Sequence, residues 1–166
     1  MALDFAVTGA PHASLRTTNS QVAAIPLRWS DGAPEVLLIT SRGRSQWIVP
    51  KGWALMDCLA AECAAREAYE EAGVTGEVEQ YSLGAFEYFK QTKQGRLYFE
   101  VTAYALHVER VLADWPERNK RRRSWFAPDV AAQLTGNESL SQLIKAAVQV
   151  EFKPAARPQR AVGLLN

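Results

Sequence analysis

The stretch Gly52-Trp53-Ala54-Leu55-Met56-Asp57-Cys58, seven further residues, and then Arg66-Glu67-Ala68-Tyr69-Glu70-Glu71-Ala72-Gly73-Val74 decides how this chain is read. It carries the marks of a helix from about Cys58 to Ala72. Asp57 is able to cap the N-terminus, and Gly73 stands where a left-handed C-terminal cap is wanted. At about 100° per residue, Glu67, Glu70 and Glu71 fall within one arc, so these carboxylates share a face. Ala61, Ala65, Ala68 and Ala72, with Cys58, form a different stripe of small residues that lets the helix approach a sheet closely. Like charges at i, i+4 repel by a few tenths of a kcal/mol, and the negative end of the macrodipole adds to the penalty. A divalent cation reverses it, because hard ions such as Mg²⁺ take carboxylate and phosphate oxygens together. On the glutamates alone, a solvated acidic face remains the alternative.

Around this helix the pattern is that of a sheet. Gln21 to Trp29 and Glu35 to Ser41 are β-rich and flank an Asp31-Gly32 hairpin signal. Trp47-Ile48-Val49 is a short third run that stops at Pro50. Val74 to Phe89 and Leu97 to Glu109 predict two or more strands joined by the polar turn from Lys90 to Gly95. A second helix is predicted from about Glu138 to Val150, with Leu140, Leu143, Ile144, Ala147 and Val148 on one stripe, and a shorter helical turn after Pro128. Too few helices remain for a crossover after every strand. The sheet is therefore mixed or antiparallel and covered by helices, an α/β or α+β sandwich.

The 166 residues suit one domain. Residues 1–20 lack periodicity, and the proline-broken basic stretch 153–166 does too, so both are expected to be loose around a domain spanning 21–152. Cys58 and Cys63, five apart on the expected helix, point in different directions and are expected not to bridge. Few cysteines, no signal-like start and no membrane-length apolar run point to a cytoplasmic protein. With 19 basic and 18 acidic residues, the chain as a whole offers no electrostatic argument for nucleic acid or membrane.

The helix and the loop before it resemble the Nudix box, G-x5-E-x7-R-E-U-x-E-E-x-G-U with U aliphatic. Gly52, Arg66, Glu67, Glu70, Glu71, Gly73 and Val74 match, and Ala68 is a weak match at a U position. Six identities at fixed spacing arise by chance roughly once in a hundred thousand such chains. The resemblance implies a Nudix-type α/β/α sandwich with a mixed sheet and a loop-helix-loop motif. It also implies Glu67, Glu70 and Glu71 as ligands of Mg²⁺ or Mn²⁺, joined by a backbone carbonyl near Lys51 and Gly52. Arg66 would orient the carboxylates, and Glu71 or Glu67 would act as general base. The box departs at Cys58, where glutamate is expected. On the expected helix Cys58 lies about 180° from Glu67, among the packed alanines.

Likeness continues outside the box. Val36 to Arg42, Trp47 to Pro50, Val111 to Trp115 and Ser124-Trp125-Phe126 are similar to the diphosphoinositol polyphosphate phosphohydrolases, a group whose members also cleave diadenosine polyphosphates. That group has a glycine triplet where this chain has Lys51-Gly52-Trp53, so Lys51 and Trp53 would reshape the mouth of the site. A small polyphosphate substrate would then be held by Ser41, Arg42, Lys51, Gly52, Lys93, Arg96, Arg121, Arg122 and Arg123, since arginine pairs bidentately with phosphate. Trp29, Trp47, Trp115 and Trp125 suit core or edge packing, and His107 a structural place in a strand. Three rivals stand beside this reading. They are a Nudix hydrolase of a nucleoside triphosphate, ADP-ribose or a nucleotide sugar; an inactive Nudix-fold binding module; and a nucleic-acid-binding domain built on residues 118–123. The near-neutral charge argues against the last.

Overall fold

A computed structural model describes residues 18–150; of the loose segments expected at 1–20 and 153–166, only residues 18–20 are described, and these open the first strand rather than lie loose. Strands β1 (Thr18–Ser30) and β2 (Ala33–Thr40) meet at Asp31-Gly32, where both residues have positive φ, 52° and 78°. This is the two-residue hairpin that the Asp-Gly pair predicts. β3 (Trp47–Ile48) and β4 (Lys51–Trp53) follow, then α1 (Ala60–Glu67) running directly into a π-helical segment, Ala68–Ala72. β5 (Val74–Val78), β6 (Gly84–Thr92), β7 (Gly95–Val111) and β8 (Arg123–Phe126) precede α2 (Pro128–Leu134) and α3 (Glu138–Ala147). Proline at the first turn starts α2, and the Asn137 side chain accepts the Leu140 N–H to start α3.

The sheet is mixed, as expected. Its spine is the parallel pair β1 and β7, aligned from Thr18 with Tyr98 to Leu27 with His107. Both long strands share an outer edge between two partners. β1 pairs with β2 at Leu27–Ser30 and with β4 at Gln21–Ala23, whereas β7 pairs with β6 over its first half and with β5 over its second. The sheet forks where β4 parts from β2, and that gap receives the end of the π-helical segment.

Side chains alternate across the strands and fill a core on each face. Ala23, Ile25, Leu27, Val36, Val101 and Ala103 pack with α2 and α3 on one face. Val22, Ala24, Leu37, Ile39 and Leu106 pack on the other against Ala61, Ala64, Ala68 and Ala72 of the first helix. These four alanines are buried and the helix lies close on the sheet; Ala61, Ala68 and Ala72 belong to the predicted stripe, whereas Ala64 takes the buried place expected for Ala65, which is half-buried. The result is an α/β/α sandwich. Among the described residues no helix is long and apolar enough to cross a membrane.

One sequence expectation is overturned. Cys58 and Cys63 form a disulfide with their Cα atoms 6.1 Å apart. The expected helix from Cys58 begins two residues later, at Ala60, with Leu59 rather than Asp57 at the N-cap; the Leu59 N–H donates to the Glu62 carboxylate. Cys58 therefore lies outside the helical phase that would point it away from Cys63, and the loop curls it back onto the first turn. The cytoplasmic expectation, which rested in part on the reading of the cysteines, loses that support. Cys58 does pack beside the alanine stripe, half-buried. A bridge closing so short a loop restricts the unfolded chain by about 2 kcal/mol. Cys58→Ser should accordingly lower the unfolding free energy by about that amount in denaturant titrations, and reductant should do the same to the wild type. Equal stability of the variant and wild type under oxidising conditions would contradict the bridge.

Candidate active site

The last turn of the helical segment is where the charged residues converge. A π-helix is rare and is commonly found at functional sites. Here the wider turn precedes Gly73, which takes the left-handed conformation (φ 63°) as the sequence predicts. No larger residue fits at position 73: a Cβ there would lie 2.5 Å from the Trp115 ring.

The three carboxylates of the motif have separate environments. Glu71 is buried, 7% exposed, contrary to the exposed face expected for all three. It accepts the Lys51 N–H at 3.0 Å and an Nη2–H of Arg121. Burial pushes the Glu71 carboxyl upward, with Arg121, the Lys51 N–H and the Lys51 and Arg42 charges pulling against it. Glu67 is half-buried over Gly52, where a Cβ would fall 2.2 Å from its carboxylate. Glycine at 52 is thus required by the approach of this acid. Burial, reinforced by the Glu71 and Glu70 charges, pushes Glu67 up to about 7. Glu70 is half-exposed and turns to Arg66, 3.8 Å away.

Hard divalent cations bind carboxylate oxygens, and Glu67 and Glu71 are donors of that kind. The mutual repulsion that adds to burial in pushing Glu67 up to about 7 is what such a cation would relieve. Among the described residues no three His, Cys, Asp or Glu side chains stand together at metal-holding spacing. Glu67 and Glu71 would be the first donors to such an ion, and Glu70, turned to Arg66, would join them only by a change of rotamer.

The arginine run divides between different tasks. Arg121, with its side chain 8% exposed, bonds Glu71, the Glu117 carboxylate at 2.6 Å and the Thr40 carbonyl at 3.1 Å. Arg42 reaches Glu117 from the solvent side, so Arg42, Glu117, Arg121 and Glu71 form a chain of alternating charge. Arg123 donates to the Ala72 and Leu112 carbonyls, both at 2.6 Å, and to the Gly73 carbonyl at 3.1 Å, with its guanidinium over the Trp115 ring. Arg122 is exposed, and its guanidinium lies 6.0 Å from the Trp47 ring centre. Ser41 is engaged with Gln46 at the end of β2, one residue from the Thr40 carbonyl that Arg121 uses.

Lys93 and Arg96 are not brought to the carboxylates. Lys93 is in the two-residue turn of the β6–β7 hairpin, and Arg96 is seven residues along β7 from Ala103, the register partner of the β1 residue paired with Lys51. That separation is roughly 20 Å of strand. Arg96 also covers Phe89, on the opposite face of the hairpin from Tyr88.

Tyr88, Phe99, Glu117 and Thr40 enter the site without a sequence signal. Tyr88 donates its hydroxyl to the Gln21 side chain at 2.8 Å, and its ring stacks on Phe99 and receives the Lys51 ammonium at 4.6 Å. Burial, with the Glu71 charge beside it, pushes the Tyr88 hydroxyl up to about 12. Burial lowers Lys51, the charges of Glu71 and Arg121 acting in opposite directions on it. Glu117, 46 residues after Glu71, and Thr40, 31 residues before it, hold Arg121. His107 is buried beside Glu79, a structural place as expected.

A buried carboxylate that loses its counterion costs about 3–5 kcal/mol, whereas an exposed surface change stays within about 0.5 kcal/mol. Arg121→Ala should therefore destabilise the protein by several kcal/mol at pH 8 and Arg122→Ala hardly at all. Chemical denaturation of both variants checks this; equal effects would contradict the division of tasks.

Comparison with known proteins agrees with this architecture. Residues 18–147 match the NUDIX domain. Nudix hydrolase 12 of Arabidopsis thaliana, a mitochondrial protein by its name, is 34% identical over 122 residues, covering 70% of this chain and 59% of its own. Diphosphoinositol polyphosphate phosphohydrolase 2 of Rattus norvegicus is 39% identical over 108 residues, covering 63% of this chain and 56% of its own. This chain thus spans little more than half the length of these two curated relatives. In fold, a Caenorhabditis elegans Ap4A hydrolase aligns with a TM-score of 0.57 at 17% identity, over 80% of this chain and 99% of its own. The NUDIX domain of Shewanella oneidensis NrtR, complexed with ADP ribose, aligns with a TM-score of 0.59 at 15% identity, over 85% and 94%. With the box residues gathered at one end of an α/β/α sandwich and the domain matched over most of its length, the chain belongs to the Nudix family.

Proposed function

We propose that this protein hydrolyses a phosphoanhydride bond of a small polyphosphate, a diphosphoinositol polyphosphate or a diadenosine polyphosphate, by attack of water at phosphorus. The observation that carries the reading is the crowding of Glu67 and Glu71 at Gly52 and Lys51, at the positions the Nudix box assigns to metal ligands. Mg²⁺ or Mn²⁺, held by Glu67, Glu70 and Glu71 with a backbone carbonyl at Lys51 or Gly52, would neutralise phosphate charge and acidify a water.

The chain's own groups divide the remaining work. Arg121 and the Lys51 N–H hold Glu71 rigidly, which suits a fixed ligand. Glu67 accepts no hydrogen bond from the described residues, and its carboxylate is the better placed of the two to take the proton of the attacking water. Water oxygen bonds to phosphorus as the bridging P–O bond breaks, and the leaving phosphate carries away that bond's electron pair. Arg66, paired with Glu70, limits how far that carboxylate swings. Arg42, Arg122 and Lys51 are the cations best placed for phosphate oxygens. Ser41 and Gly52 line the approach, and Arg121 reaches substrate only if Glu71 releases it.

The test is a panel of diadenosine polyphosphates, diphosphoinositols, nucleoside triphosphates and nucleotide sugars assayed with Mg²⁺ and Mn²⁺. Glu67→Gln, Glu70→Gln and Glu71→Gln should each lower kcat at least ~100-fold on the preferred substrate, a barrier increase of roughly 2.7 kcal/mol. Full activity in all three variants would remove the site from consideration.

A further inference from the structure

The face of β4 that bears Lys51 also bears Trp53, two residues on, while Gly52 between them faces Glu67 on the other side. Trp53 is half exposed, an uncommon state for so large a ring on a strand. Its indole lies 5.9 Å from Phe99, which stacks parallel on Tyr88 at 4.8 Å, and Tyr88 carries the Lys51 ammonium. A continuous row of π-faces therefore leads away from the Glu71 carboxylate, beginning with a cation and ending in an open indole. The strand repeat puts the Cα atoms of Lys51 and Trp53 about 6–7 Å apart on one face, so a base on the indole would have its phosphates toward Lys51.

From this row we infer that Trp53, backed by Phe99 and Tyr88, is a stacking platform for a nucleobase. The site is accordingly specific for nucleotide-bearing polyphosphates over diphosphoinositols. The inference rests on the phosphoanhydride reading above. An inositol ring bristling with phosphates presents no π-face and asks for a ring of cations. On this face the cations are Lys51 and Lys90, close enough that the Lys90 charge acts on Lys51, while Lys93 and Arg96 lie far along the hairpin. Neutral aromatic surface beside two ammoniums, rather than a ring of cations, matches a base and its first phosphates.

Two measurements test it. First, kcat/KM for diadenosine tetraphosphate and for a diphosphoinositol pentakisphosphate is compared in wild type, Trp53→Leu and Trp53→Phe at matched ionic strength with Mg²⁺. The ratio of the first substrate to the second should fall about 10- to 100-fold in Trp53→Leu, the usual worth of one base stack, and recover largely in Trp53→Phe. An unchanged ratio, or equal loss on both substrates, overturns the platform. Second, AMP should quench part of the tryptophan fluorescence of the metal-free protein, and that part should be missing in Trp53→Phe, while inositol hexakisphosphate should not reproduce it. Quenching that persists in Trp53→Phe overturns the assignment to this residue. If wild type cleaves neither substrate yet AMP quenches Trp53, the hydrolase reading fails and the base platform stands.

Discussion

The ion pair between Glu71 and Arg121 is the constraint on which the site depends. A carboxylate buried at the C-terminal end of a helical segment meets the desolvation penalty and the negative end of the backbone dipole together. Arg121 answers both, and its own three-way anchoring to Glu71, Glu117 and the Thr40 carbonyl joins the helix end to β2 and to the approach to β8. The segment from Leu112 to Arg123 extends the same solution to the backbone. It supplies donors to the carbonyls of Glu70, Glu71, Ala72 and Gly73 from the Glu117 N–H, the Trp115 indole and Arg123. Those carbonyls are the ones a helix leaves without internal partners. A run of arginines that suits polyanion binding by composition is, in two of its three members, a helix terminator.

The second constraint is the space at Gly52. Only a residue without a side chain lets the Glu67 carboxylate rest on β4, and only that position crowds it against Glu71. Acid repulsion is here built into the packing. The helix tolerates it because four alanines hold the axis close to the sheet and because the Lys51 N–H and Arg121 bind the buried Glu71 carboxylate.

Much of this was legible in the residues. The Asp31-Gly32 hairpin, the capping glycine at 73, the alanine stripe and the mixed sheet follow from local chemistry and periodicity, because each is settled by neighbours within a few positions. The failures share a cause. A helix start misplaced by two residues put Cys58 in the wrong phase and hid the disulfide. Treating 67–72 as ordinary α-helix placed Glu71 on the exposed face, whereas the π-helical widening and a partner 50 residues away bury it. Tyr88, Phe99 and Glu117 carry no motif and are recruited by strand register, which sequence periodicity does not specify across long connections. Arg121, Arg122 and Arg123 are adjacent and chemically alike, yet alternation at the start of β8 sends them to three different environments.

Glu67 is held crowded and desolvated in a way a divalent cation would relieve, and unfolding free energy measured against pH is the sharpest check of this. The Glu67 carboxyl is raised from 4.5 to about 7, so between those values the native state keeps a proton that the unfolded chain has lost. Stability from this group is full below about 4.5, falls as pH rises, and levels off above about 7. In chelator the wild type should lose about 1–2 kcal/mol across that window after allowance for the half-exposed position, and Glu67→Gln should not lose this share. Saturating Mg²⁺ or Mn²⁺ at pH 8 should restore it in the wild type alone. A wild-type profile that runs parallel to that of Glu67→Gln, with the same response to cation, would contradict the account.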